Sequence, residues 1–293
     1  MKKSLSLLFG EAHVQDFFKA LSLGEPFVFH GPLERLQPLL AEVPFLSSLE
    51  ALVNSWPDHI QAHLPDVRDE ASSIDTTPKD AKKLFDNGMG LLFDEAQRFS
   101  PALQEWLENL RQELSLSAMT ISRSICYATP DGKGTAPHFD QNINFVVQLH
   151  GTKIWSMARN TTVENPLTRH TMGLEPDMEM QGYLDRPMPT QMPPKVKQME
   201  LKPGSVLFVP RGYWHSTEAE GDALALNFTF TPPTWIDLFT VALRSRLSLS
   251  VDWRKTAFMN ENAPAEFDGL LQEIIQDLPN WKAQDILSAI EPE

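Results

Sequence analysis

Thr135-Ala136-Pro137-His138-Phe139-Asp140-Gln141-Asn142-Ile143-Asn144-Phe145-Val146-Val147-Gln148-Leu149-His150-Gly151-Thr152-Lys153 decides how this chain reads. His138 and Asp140 stand two residues apart, and on an extended strand that spacing puts an imidazole and a carboxylate on one face. The apolar run Ile143 to Leu149, closed by His150-Gly151, predicts a buried strand and then a tight turn. Lys153 to Met157 would be the return strand, with Lys153 and Trp155 on one face and Ile154 and Ser156 on the other. A neutral imidazole and a carboxylate supply two of the three ligands of a 2-His-1-carboxylate iron site. Such a pair alone is a weak signal, because most are surface or satisfied core residues. Its neighbours strengthen it. Thr135 precedes His138 by three residues, and the Lys153 amine is a candidate counter-ion for a bound carboxylate. Asn144 and Gln148 share the parity of His138 and Asp140 and could orient ligands, with structural hydrogen bonding the alternative for Gln148.

The rest of the chain bounds what this stretch can belong to. At 293 residues, 42% hydrophobic and 22% charged, it has the makings of one large domain or two ordinary ones with a real core. A net charge of −14 without basic clusters argues against nucleic-acid binding and suits either a basic protein partner or plain solubility. One cysteine, Cys126, excludes an intrachain disulfide and a thiolate zinc site, and its strand-like setting reads as a small buried hydrophobe. Met1 to Gly10 begins like a signal peptide, but its apolar run is short and meets Glu11 and Asp16 without a cleavage site. No stretch reaches membrane-spanning length. The expectation is a cytoplasmic protein.

In chain order, 11–22 reads as an amphipathic helix, Phe27 to His30 as a strand, and 33–40 and 45–56 as helical. Asp66 to Lys82 reads as loop. Ser100-Pro101 is an N-cap followed by Pro at the first helical position of a helix to about Leu114. A strand-like run from Ala118 to Tyr127 and a turn at Thr129 to Gly134 deliver the chain to the opening stretch. Residues 159–198, rich in Pro and Met, form either a substrate-covering loop or a structural insertion. From Leu201 to Phe230, short strands punctuated by Pro-Gly, Arg-Gly and Gly-Asp turns have the rhythm of an antiparallel sandwich or barrel. His215 opens one of these strands, with Asn227 an even number of residues later. Trp235 to Leu249 and Phe267 to Ile290 read as a helical appendage, the latter broken at Pro279. Being small to fold alone, it would dock on the barrel or on a second subunit.

His138, Asp140 and His215 together make three ligands on one face of an octahedron, leaving three positions open for chemistry. Here the chain resembles the JmjC-type, cupin-fold Fe(II)/2-oxoglutarate oxygenases, closest to the bacterial ribosomal oxygenases and the asparaginyl hydroxylase of the hypoxia-inducible factor. The resemblance runs from about Phe17 to Phe230. It is densest in Pro137-His-Phe-Asp-Gln141, Gln148-Leu-His-Gly-Thr-Lys-Ile-Trp155, and Pro203-Gly204 through Pro210-Arg-Gly-Tyr-Trp-His215. It implies a double-stranded β-helix (a cupin jelly roll), mainly β with helical flanks, spanning 118–232 between an N-terminal region, 1–117, and C-terminal helices, 233–293. It implies Fe(II) on His138, Asp140 and His215, and 2-oxoglutarate with its far carboxylate on Lys153, assisted by Thr135. Asn144 and Asn227 match asparagines near the iron, although His215 and Asn227 are closer in sequence than in the asparaginyl hydroxylase. Tyr127 is either a further cosubstrate contact or a core tyrosine.

The function this implies is hydroxylation of a protein or peptide side chain, for instance on a ribosomal protein. A same-fold enzyme acting on a small molecule and a non-catalytic cupin binding module are the alternatives. The intact triad and Lys153 argue against the module. Demethylation would use the same machinery. Neither nucleic acid nor membrane is expected as a partner, and a homodimer through the C-terminal helices is.

Overall fold

The computed structural model describes residues 4–64 and 72–290. In chain order, α1 (Ser4–Phe9) and α2 (Val14–Leu23) lead into β1 (Phe27–Phe29), and α3 (Gln37–Leu40) and α4 (Leu49–Ser55) follow. Next come β2 (Ile60–His63), β3 (Ser73–Thr76), α5 (Pro78–Asp86), β4 (Gly90–Phe93) and α6 (Pro101–Glu113). At the start of α6 the Ser100 hydroxyl accepts from the Leu103 N–H at 3.3 Å, as the sequence signature requires. The loop expected over 66–82 gives way to β3 and the start of α5. Pro78 sits in the first turn of α5, and Ala81 and Phe85, four apart, bury one face, while the charges that made the segment read as loop occupy the other. Asp66 to the residue at 71, like the first three residues of the leader-like start, lies outside the described residues.

The β region consists of β5 (Ile121–Thr129), β6 (Gly134–Phe139), β7 (Ile143–Ala158), β8 (His170–Thr171), β9 (Lys197–Leu201), β10 (Val206–Val209) and β11 (Trp214–Thr231), with the short α7 (Met178–Gln181) before β9. All pairings are antiparallel. The path is β1-β10-β7-β11-β5-β4-β2-β3, with β6 bonded to β11 and β8, and β9 to β7. Two long strands hold it together. The first half of β7 pairs with β10 and the last third of β11, while its second half pairs with β9 and the beginning of β11. Each strand therefore passes from one layer to the other. Val146, Ala225 and Leu207 meet Trp155, Met157, Leu201 and Tyr213 in a buried cluster between them.

Where the sequence predicts a hairpin at His150-Gly151, the structure has one continuous strand. Gly151 takes a left-handed φ of 64° and the chain goes on rather than back. The short strands expected after Arg211 are likewise a single strand, β11, passing through Gly221 at φ 73°. Register shifts between Glu220 and Ala225 face the Gly151 irregularity across the ladder. A bulge on each strand bends the pair as a turn would, without reversing it.

Aromatic side chains close one outer face: Phe9 stacks on Phe17 at 4.7 Å, and Phe17 meets Phe145 and Phe208 at 5.7 and 5.3 Å. On another face the methionines of the segment after β7 find their place. Met180, with Met172, Met188 and Met192 beside it, packs on Phe139 and Trp214.

The chain divides into two units, Met1–Ser115 with Ile121–Thr231, and Leu116–Thr120 with Pro232–Glu293. The second contains α8 (Trp235–Leu247), α9 (Ala263–Asp277) and α10 (Ala283–Ile290). Thr234 and Asp237 cap α8 reciprocally. Arg246 forms a two-pronged bond to Asp277 at 2.7 and 2.6 Å, and Trp281 Nε1 donates to the same carboxylate at 2.8 Å. These bonds hold Asp277 down at about 2, Arg246 contributing most. Among the described residues no helix is long and apolar enough to cross a membrane.

Candidate metal centre

Strand pairing brings the first two histidines together: His215 on β11 lies opposite His138 on β6, with ring centroids 4.1 Å apart. Asp140 follows β6 directly, its carbonyl accepting from the Gly212 N–H at 2.8 Å. One ligand atom from each of His138, Asp140 and His215 falls within 4.8 Å of the others. Among the described residues this is the set of nitrogen and oxygen donors that could hold an ion.

Both imidazoles are oriented by backbone. Nδ1 of His138 lies 2.7 Å from the Ala136 carbonyl, and Nδ1 of His215 lies 2.9 Å from the Tyr213 carbonyl. A carbonyl only accepts, so each Nδ1 carries a proton and Nε2 is the nitrogen left to meet a cation. Burial, joined by the neighbouring His138, pushes His215 down to about 4 against the pull of Asp140. Its ring is neutral at pH 7, as a ligand must be. Burial works against ionisation of Asp140. The two imidazoles, the Arg169 guanidinium and the Asn144 hydrogen bond outweigh it, so the carboxyl lies below its ordinary value. Two imidazoles and one carboxylate suit a divalent first-row ion and leave coordination positions open.

The three donors line a cavity of about 210 Å³. Lys153, Thr135, Asn144, Asn227 and Tyr127 line it too, so the structure gathers these five around one space with the three donors. Two of them arrive by way of strand irregularities. On β6, Thr135 lies opposite Thr217 and His138 opposite His215, three residues against two; the extra residue, beside Pro137, turns Thr135 to the His138 face. On β7, Asn144 and Val146 face the cavity and so do Lys153 and Trp155. Even positions give way to odd ones across Gly151. Gln148 is not among the lining residues. Fully buried, it donates through Nε2 to the His150 carbonyl at 2.7 Å and pins the bulge.

Within the cavity Thr135 Oγ1 lies 3.0 Å from Thr217 Oγ1, and Asn144 Nδ2 donates to Asp140 Oδ2 at 3.3 Å. Trp155 stacks on the His215 ring at 5.5 Å. Asn227 carries a buried Oδ1 without a hydrogen-bond partner. Trp214 points away into the methionine cluster, as its parity predicts. Arg211 donates to the Pro166 carbonyl at 2.9 and 2.6 Å. Cys126 takes no part: burial pushes its thiol up to about 12. The residue that sequence reasoning missed is Arg169, whose Nε lies 3.3 Å from Asp140 Oδ1. It sits 29 positions from Asp140 in an aperiodic segment, and no local pattern marks it.

Comparison with known proteins agrees with this geometry. A model of the JmjC domain matches residues 95–238. The uncharacterized protein YxbC of Bacillus subtilis (strain 168) is 33% identical over 266 residues, covering 87% of this chain and 80% of that one. Ribosomal oxygenase 1 of Rattus norvegicus is 27% identical over 186 residues, 61% of this chain but 28% of its own length. The chain therefore spans about a quarter of that relative. Among solved structures, the Escherichia coli ribosomal oxygenase YcfD in complex with cobalt and 2-oxoglutarate superposes with a TM-score of 0.54 at 18% identity. That match covers 90% of this chain and 67% of the other and places the two in the same fold. The chain belongs to the JmjC-domain family.

Proposed function

We propose that the protein is an Fe(II)- and 2-oxoglutarate-dependent oxygenase that hydroxylates a protein or peptide side chain. One observation carries the reading: the His138, Asp140 and His215 donors share a cavity of about 210 Å³ with Lys153, a buried ammonium on the same wall. A ferrous ion with a chelating 2-oxo acid supplies the activation of O2. The chain's own residues do the rest. The Ala136 and Tyr213 carbonyls fix the tautomers of the two imidazoles, and Asn144 steadies the carboxylate. Lys153 and Thr135 lie where the far carboxylate of a 2-oxo diacid would be received. An ammonium there forms a charge-assisted bond in a pocket shielded from water. The apolar cluster behind Trp155 excludes water on that side.

A macromolecular substrate is favoured over a small molecule by the segment after β7. Its methionines pack outward on Phe139 and Trp214, and the cavity receives Arg169 from it rather than a lid of apolar side chains. The names of the ribosomal oxygenase relatives make a basic ribosomal protein the first candidate, and the net charge of −14 would draw one in. We place the enzyme in the cytoplasm, and as a dimer through the second unit, in which α8 and α9 bury no residue.

The test is mass spectrometry of cellular proteins from cells carrying the wild-type chain or its His138→Ala variant. A gain of one oxygen that depends on the wild type is expected, with succinate released by purified Fe(II)-loaded enzyme and not by the variant. Loss of a methyl group instead would make it a demethylase. Wild-type turnover by His138→Ala would refute the metal assignment.

A further inference from the structure

Arg169 belongs to the segment between β7 and β9, yet its guanidinium enters the metal cavity, with the side chain 26% exposed. Three contacts deliver it there. Thr171 of β8 pairs opposite His138, the Met172 N–H donates to the Pro137 carbonyl at 2.8 Å, and Arg211 grips the Pro166 carbonyl. The Asp140 carboxylate is divided by this arrangement. Oδ1 faces Arg169, while Oδ2 lies 3.7 Å from His215 Nε2 and accepts from Asn144.

A positive charge at this point acts with opposite sign on the two ligands of the centre. It repels a divalent cation and draws carboxylate density away from it, but it attracts an anion. Among the residues that line the cavity, Lys153 and Arg169 stand against Asp140, a surplus of one positive charge. A divalent ion enlarges that surplus, and a dianion bound beside it removes most of it. We propose that Arg169 is a positioning residue that couples the two ligands: it keeps the bare site's affinity for metal low and raises that of the metal-loaded site for a dianionic 2-oxo acid. The centre then fills as a metal–cosubstrate pair. The cosubstrate half of this rests on the function proposed above; the metal half does not.

The experiment compares wild type, Arg169→Gln and Arg169→Lys, with Arg169→Met replacing the glutamine variant should that fail to fold. Mn(II) is titrated alone, free ion being read by electron paramagnetic resonance. 2-Oxoglutarate is then titrated into Mn(II)-saturated protein by calorimetry. Arg169→Gln is expected to bind Mn(II) roughly tenfold more tightly and 2-oxoglutarate roughly tenfold more weakly, the scale of one charge acting a few ångströms away in a high effective dielectric. Arg169→Lys should stay near wild type on both. A residue that only props the loop would weaken both ligands together, and that result, or no change in either, overturns the proposal. Wild-type protein that binds Mn(II) but no 2-oxoglutarate would overturn the cosubstrate reading itself, while the manganese comparison would still judge Arg169.

Discussion

Lys153 is 6% exposed on the wall of the cavity that also holds the His138, Asp140 and His215 donors, where its ammonium can form a charge-assisted bond to the far carboxylate of a bound 2-oxo diacid. Removing one member of a buried charge pair costs about 3–5 kcal/mol, which is roughly a hundredfold or more in affinity. Lys153→Ala is therefore expected to weaken 2-oxoglutarate binding by that order while leaving metal affinity nearly unchanged. Lys153→Arg should keep part of it. Following the metal-to-ligand charge-transfer band of the Fe(II) protein during titration reads this directly, and equal affinities would move the cosubstrate elsewhere. At this scale the sequence is legible where chemistry is local. His138 and Asp140 announce themselves by a spacing of two, because a strand turns that spacing into a shared face. Arg169 does not, because its ion pair spans a segment with no period. Gln148 misleads for a related reason: its parity is right, but its amide is consumed by the backbone at the bulge.

At the scale of the element, the bulges decide what faces the metal. Strict alternation along β7 from Asn144 would carry Thr152 and Ile154 into the cavity and turn Lys153 out. Gly151 reverses this, and the space around it shows why only glycine serves. A Cβ there would lie 2.1 Å from the Asp222 carbonyl oxygen and 2.9 Å from Ala223 Cα, at a left-handed φ of 64°. Gly221 has a similar φ, 73°, but an added Cβ would meet nothing within 4 Å. The left-handed conformation alone costs a side chain about 1–2 kcal/mol. Gly221→Ala should lose no more than that, whereas Gly151→Ala should lose about 2–4 kcal/mol once the opposing backbone is forced to move. Urea unfolding of the pair checks the difference, and 2-oxoglutarate affinity should fall only in Gly151→Ala. Equal stability of the two variants would mean the ladder adapts and Gly151 does not set the parity. The sequence displays this glycine plainly, but a turn and a bulge use the same residue at the same place. What separates them is the partner strand, over 70 residues away in β11, whose own irregularity matches. α6 is easier to read, since Ser100, Pro101 and its apolar face act within a few residues of themselves.

At the scale of the whole molecule, length and composition allow one large domain or two ordinary ones with a real core, and the unit carrying the cavity has such a core. The second unit does not. α8 and α9 bury no residue, and on α9 Phe267, Leu271 and Ile275 stand four apart in one stripe, with Phe267 53% and Ile275 60% exposed. Trp235 on α8 is 78% exposed. Monomers seldom leave so much contiguous apolar surface to water, and a helical unit of this size lacks the area to be stable by itself. A second copy of the same unit presents a matching stripe, and isologous pairing is the commonest way such a surface is covered. It would need to bury about 800 Å² on each partner to be lasting. The expectation is that the full-length protein sediments as a dimer, and that Leu271→Glu with Ile275→Glu shifts it to the monomer mass. Metal and 2-oxoglutarate affinities should stay at wild-type values in that variant, because every residue lining the cavity belongs to the first unit. Wild-type protein that remains monomeric at every accessible concentration would show that the stripe has another occupant. A variant that stays dimeric would place the interface on a different face.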